Sequence, residues 1–98
     1  MTDDGTFMEQ ALIEATAAAQ RGEVPVGALL VDGSGTVLAA DGNRTLELSD
    51  PTAHAEMQVI RAAAAKLGSQ RLTGCDLYVT LEPCPMCAQA ISFARLRR

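Results

Sequence analysis

Apolar positions recur along the chain at two periods, and the change of period marks out the elements. Between Phe7 and Gln20, the residues Met8, Ala11, Leu12, Ala15 and Ala19 fall three or four apart and define one helical face. Arg21-Gly22 supplies its stop. Val24 to Val31 is apolar almost throughout and short, the pattern of a strand buried on both faces. Asp32-Gly33-Ser34-Gly35 reads as a hairpin turn into a second strand, Thr36 to Ala40, so these two should pair antiparallel. Residues 41–50 are polar and read as a loop. Asp50-Pro51 carries the marks of a helix start, a capping side chain followed by proline. Ala53, Met57, Ile60, Ala64 and Leu67 set that helix's apolar face, and Gly68 ends it. Asp76 to Leu81 is a strand. Glu82-Pro83-Cys84-Pro85 then turns the chain into a last helix, Pro85 to Arg95.

The order α-β-β-α-β-α predicts one α/β layered domain over residues 1–98. Its sheet should be mixed, a hairpin plus a strand delivered as a parallel neighbour by the crossover helix.

Composition narrows this picture in three ways. With 48% hydrophobic residues but 3% aromatic, the core must be built from Ala, Val, Leu, Ile and Met. The net charge of −4 argues against nucleic-acid binding through bulk charge. Bases nevertheless gather in the second half, as Arg61, Lys66, Arg71, Arg95, Arg97 and Arg98. They fit a local phosphate-facing patch or, more plainly, solvated helix faces. The acidic N-terminus lacks the pattern of a signal peptide, and no apolar run approaches the roughly 18 residues of a membrane helix. An odd number of cysteines, three, without a secretory signal fits a reducing, cytoplasmic setting in which thiols serve metal binding or catalysis.

Two short segments that open helices carry the chemistry: His54-Ala55-Glu56 and Pro83-Cys84-Pro85-Met86-Cys87. Zinc favours imidazole nitrogen and thiolate sulfur, and a catalytic site keeps three protein ligands and one open position. His54, Cys84 and Cys87 would supply those three, for one Zn2+ per chain. Cys84 and Cys87 lie three apart at a helix N-terminus, where partial positive charge favours the thiolates a metal needs. The ion is therefore expected between two helix N-termini, near the carboxyl end of the Asp76–Leu81 strand. Zinc lowers the pKa of bound water toward about 7. Glu56, a carboxylate that is not a ligand, is the candidate to take that proton and pass it to a bound substrate. H-x-E followed by P-C-x-x-C resembles the zinc-deaminase signature, which implies that Glu56 passes the proton to a ring nitrogen and then to departing ammonia. Alone, His54 would read as a helix cap or surface residue. The CxxC pair alone would read as a redox pair or half of a structural zinc site. Cys75 reads as a small buried or turn residue, Met57 as core and Tyr78 as a sheet residue without catalytic duty.

The resemblance extends beyond the ligands. GEVPVGALLV (22–31), GNRT (42–45), DPTAHAEM (50–57), RL (71–72) and LYVTLEPCPMCAQAISFAR (77–95) resemble the bacterial tRNA adenosine deaminases, within the cytidine deaminase superfamily. That resemblance implies a three-layer α/β/α cytidine-deaminase-like fold and hydrolytic conversion of the tRNA wobble adenosine to inosine. It also implies an anticodon stem-loop as partner and a homodimer. It assigns substrate binding to Asn43, which would contact the base, to Val26 within the wall-forming Val24-Pro25-Val26, and to Ala55. Family members continue past the position of Arg98 with further strands and helices, which implies a chain truncated at its C-terminus. Three other readings stand beside this one: a deaminase of free guanine- or cytosine-type bases or nucleosides, a non-catalytic zinc-binding fragment, and a CxxC redox protein.

Overall fold

A computed structural model describes residues 4–81 and 84–96. The expected turn at Glu82-Pro83 and the basic end at Arg97 and Arg98 lie outside those residues. Six elements follow in the expected order: α1 (Asp4–Gln20), β1 (Gly27–Val31), β2 (Val37–Gly42), α2 (Ala55–Leu67), β3 (Asp76–Val79) and α3 (Pro85–Ala94).

The strands form one sheet in the order β2-β1-β3. All five β1 residues are buried, so this strand takes the centre. Both of its pairings are antiparallel: Leu29 stands opposite Ala40 on one side and Tyr78 on the other. The mixed sheet expected above is thereby corrected among the described residues. The crossover through α2 does set β3 parallel to β2, but it steps over β1, so the two parallel strands share no hydrogen bonds.

Alternation along β1 feeds two cores. Ala28 and Leu30 join Ala55, Val59 and Ala63 of α2, together with Leu72, Cys75 and Ala94. Leu29 and Val31 meet Phe7 of α1 and Tyr78, whose ring centroids lie 5.1 Å apart. Helices thus cover both faces of the sheet, with α3 against α2, which is the three-layer arrangement. Fully burying Leu29 or Leu30 contributes about 1.5–3 kcal/mol each.

Two helical faces are rotated from expectation. In α1 the buried stripe is Phe7, Ala11, Ala15 and Ala18, while Leu12 is 52% exposed. Small residues win because the sheet surface below is glycine: a Cβ on Gly27 would run into the Ala11 carbonyl oxygen and the Ala15 amide. In α2, Ala55, Val59 and Ala63 face the core, Met57 is only half-buried, and Leu67 is 48% exposed. The helix also begins later than Asp50-Pro51 suggested. Asp50 spends its carboxylate on the Thr52 N–H at 2.8 Å and the Thr52 hydroxyl at 2.7 Å, closing a turn ahead of the helix. His54 becomes the N-cap instead.

Candidate metal centre and the adjoining hollow

His54 and Cys84 are the N-caps of α2 and α3, both in extended backbone, with ψ of 155° and 168°. Each helix start therefore aims a potential ligand outward, and the packing of α3 on α2 brings the two starts together. His54 Nδ1 lies 3.5 Å from Cys84 Sγ and 3.4 Å from Cys87 Sγ. All three donor atoms fall within 4.8 Å of one another, and among the described residues this is the group that could hold a metal ion. A tetrahedral zinc with its usual bond lengths holds nitrogen and sulfur ligands about 3.6 Å apart. The observed spacing fits that ion with little adjustment.

The two thiols sit in different surroundings. The backbone N–H groups of Cys87 and Met86 face the Cys84 sulfur without forming a regular helix cap. The first of them is the main cause that holds the Cys84 thiol below its ordinary value. Burial pushes the Cys87 thiol up to about 12, and the nearby Glu56 carboxylate adds to the rise. A buried sulfur that resists ionisation beside a carboxylate calls for a cation, and the donor set is the one zinc prefers.

Glu56, 4% exposed, and His54 line a hollow of ≈ 250 Å³ together with Val24, Val26, Asn43, Leu81 and Cys84. The structure thus brings together His54, Glu56, Cys84, Asn43 and Val26, with Cys87 buried directly behind. Ala55 stands apart: its side chain packs in the core and does not line the hollow. Its N–H donates to Asn43 Oδ1 at 2.9 Å, which leaves the Asn43 amide nitrogen as a donor for the hollow. Asn43 is tied further by its own N–H to the Val26 carbonyl at 3.1 Å. A metal position, a buried carboxylate and a fixed amide around an apolar-walled recess can bind a flat heterocycle and transfer protons to it.

Leu81 and Glu23 were not singled out from the sequence. Leu81 reads as the end of a strand, and its place at the hollow follows from where β3 stops. Glu23 follows Arg21-Gly22, where nothing local marks a carboxylate for burial, yet it is 5% exposed. Among the described residues, no Lys or Arg side chain lines this hollow. Arg71 and Arg95 meet around a larger hollow of ≈ 500 Å³ with Gln70, Ser92 and Phe93, at the far end of α3 from Cys84. Arg61 turns instead toward Asp50, 3.8 Å away.

Residues 1–98 match the cytidine and deoxycytidylate deaminase zinc-binding region, and the chain belongs to that family. Within it, the chain is 62% identical over 98 residues to a tRNA-specific adenosine deaminase of Agrobacterium fabrum. It is 47% identical over 98 residues to the tRNA-specific adenosine deaminase of Bacillus subtilis. It covers all of itself in both matches but spans 64% and 60% of those relatives' lengths. A solved structure from work on A-to-I editing by tRNA:A34 deaminases superposes with a TM-score of 0.95 at 62% identity, over 99% of this chain and 74% of that one. Guanine deaminase from Bacillus subtilis superposes at 0.94 with 39% identity, over 98% of this chain and 61% of that one.

Proposed function

We propose that the protein is a zinc-dependent hydrolytic deaminase that converts the wobble adenosine of tRNA to inosine. The observation that carries the chemistry is the convergence of His54, Cys84 and Cys87 beside the buried Glu56. The choice of substrate is supported by 62% identity to a tRNA-specific adenosine deaminase against 39% to a guanine deaminase.

His54 Nδ1 and the two cysteine sulfurs would hold one zinc per chain, and the ion would supply the means to make water nucleophilic near neutral pH. Glu56 takes a proton from the attacking water and delivers it to ring N1. The water oxygen becomes bonded to C6 of the base. Glu56 next takes the remaining proton from that C6 hydroxyl and passes it to the exocyclic nitrogen; the C6–N bond breaks, ammonia leaves and the oxygen stays as the C6 carbonyl of inosine. Val24, Val26 and Leu81 wall the recess with apolar surface, and the Asn43 amide nitrogen donates to an acceptor on the ring. Ala55 contributes through its N–H to Asn43. The partner is the anticodon stem-loop, the setting is cytoplasmic, and the assembled enzyme is a homodimer. Among the described residues no helix is long and apolar enough to cross a membrane.

One measurement tests this reading: zinc content alongside ammonia release from a wobble-adenosine stem-loop, adenosine, cytidine and guanine. Inosine in the stem-loop, lost in Glu56→Ala while zinc stays bound, is the expected result. Turnover of guanine alone would move the protein to the free-base deaminases. Full zinc without turnover of any substrate would leave it a non-catalytic zinc-binding chain, and a chain that takes up no zinc would revive the CxxC redox alternative.

A further inference from the structure

Two side chains without a duty in the reaction above clasp one wall of the hollow. Glu23 lies on the connection between α1 and β1, where a carboxylate would ordinarily be solvated, yet it is 5% exposed. Its Oε1 accepts the Leu46 N–H at 3.1 Å and the Thr45 hydroxyl at 3.3 Å, and its Oε2 accepts the Glu47 N–H at 2.8 Å. Donors from three consecutive residues thus converge on one carboxylate. Arg21, on the other side of the left-handed Gly22, donates Nη2 to the Asn43 carbonyl at 3.0 Å and lies 3.7 Å from the Glu47 carboxylate.

The clasp links the two walls of the recess. The chain leaving Glu23 runs straight into Val24 and Val26, which line the hollow. The loop that Glu23 holds begins at Asn43, which lines it too. That loop has little apolar anchorage, since Leu46 is 71% and Leu48 49% exposed. Without the carboxylate, its backbone N–H groups at 46 and 47 would have to find water, and the loop would move.

We propose that Glu23 is a positioning residue: by holding residues 45–47 while its own backbone continues into Val24–Val26, it sets the gap between that wall and the Asn43 amide, and with it the affinity for a planar base. This rests on the deaminase reading above and adds to it a residue that touches neither substrate nor metal.

The test is Glu23→Gln in the zinc-loaded chain. Glutamine keeps the size but turns an amide NH2 toward backbone donors. Loss of a charge-assisted bond of this kind should speed hydrogen exchange at the Leu46 and Glu47 amides about tenfold or more. Exchange in β1 should rise less than at those two amides, and zinc content should stay unchanged. KM for the stem-loop should rise about tenfold while kcat stays within about twofold, the signature of lost binding rather than lost chemistry. Faster loop exchange with an unchanged KM would overturn the proposal, and so would unchanged exchange. If the wild-type chain deaminates nothing, the deaminase reading fails by itself. Stem-loop affinity from fluorescence anisotropy then replaces KM, with weaker binding supporting the proposal and equal binding overturning it. Thr45→Ala, which removes one donor, carries the same readouts should Glu23→Gln fail to fold.

Discussion

Asn43 Oδ1 accepts the backbone N–H of Ala55 at 2.9 Å, so the loop after β2 caps the first turn of α2 from a distance of twelve residues. His54 makes no side-chain cap of its own, which leaves this bond to satisfy a donor at that helix end. Asn43→Ala should therefore destabilise the chain by about 1–3 kcal/mol, the usual cost of orphaning a buried donor. A lowered melting temperature with zinc still bound is the expected result. An unchanged melt would mean that water replaces Asn43 at no cost.

Zinc removal tests the centre directly. A ligand at 1,000 times its Kd adds about 4 kcal/mol to a folded state that alone binds it. A chelator should accordingly lower the melting temperature by many degrees, and added zinc should restore it. Cys87→Ser should hold far less than stoichiometric zinc. Cys75→Ser should hold as much as wild type, because Cys75 packs in the core away from the three donors. Equal zinc in Cys87→Ser and wild type would remove Cys87 from the ligand set.

The close approach of α1 to the sheet makes Gly27 hard to replace. An added methyl would meet backbone atoms of Ala11 and Ala15, which cannot rotate away. Gly27→Ala should cost about 1–3 kcal/mol or more through overpacking. Gly33→Ala is the control, since the nearest atom to its Cβ, the Gly74 carbonyl oxygen, is at 3.5 Å. Chemical denaturation of both variants measures the contrast, and equal midpoints would contradict the packing described.

Three carboxylates, Glu23, Asp32 and Asp50, give stability a direction in pH. At Glu23, desolvation pushes the carboxyl up, but the Glu47 and Leu46 N–H groups, Thr45 and Arg21 together outweigh it and leave it below its ordinary 4.5. At Asp50 the Thr52 hydroxyl and N–H, with Arg61, hold the carboxyl below its ordinary 3.8. A pKa lower in the folded than in the unfolded chain contributes stability above the unfolded value and loses it as pH falls through the folded one. The melting temperature should therefore hold from neutral pH down to about 5 and decline below about 4.5. Glu23→Gln should show a shallower acid decline from a lower plateau. A decline as steep as wild type would exclude Glu23 as a source of the acid sensitivity.

Much of this was legible before folding. The burial of β1 follows from an apolar run with no polar face, and the ends of α1 and α2 from glycine. The pairing of His54 with Cys84 and Cys87 was legible as chemistry, because donor type and the three-residue spacing are properties of the sequence itself. Helix faces were less so. The stripe of α1 runs through Phe7, Ala11, Ala15 and Ala18 because the partner surface is glycine, and one helix's own period cannot reveal what it will pack against.

The sequence by itself determined the order of elements, the burial of β1 and the inventory of metal donors, since these depend on local periodicity and on the chemistry of single residues. Only the tertiary structure decided that β3 joins the free side of β1 instead of pairing with β2, and that the starts of α2 and α3 bring His54 to Cys84 and Cys87. It alone also bound Asn43 to Ala55 and drew Glu23 inward onto the loop at 45–47. Each of those contacts joins residues far apart in the chain, and their meeting depends on how whole elements cross and pack.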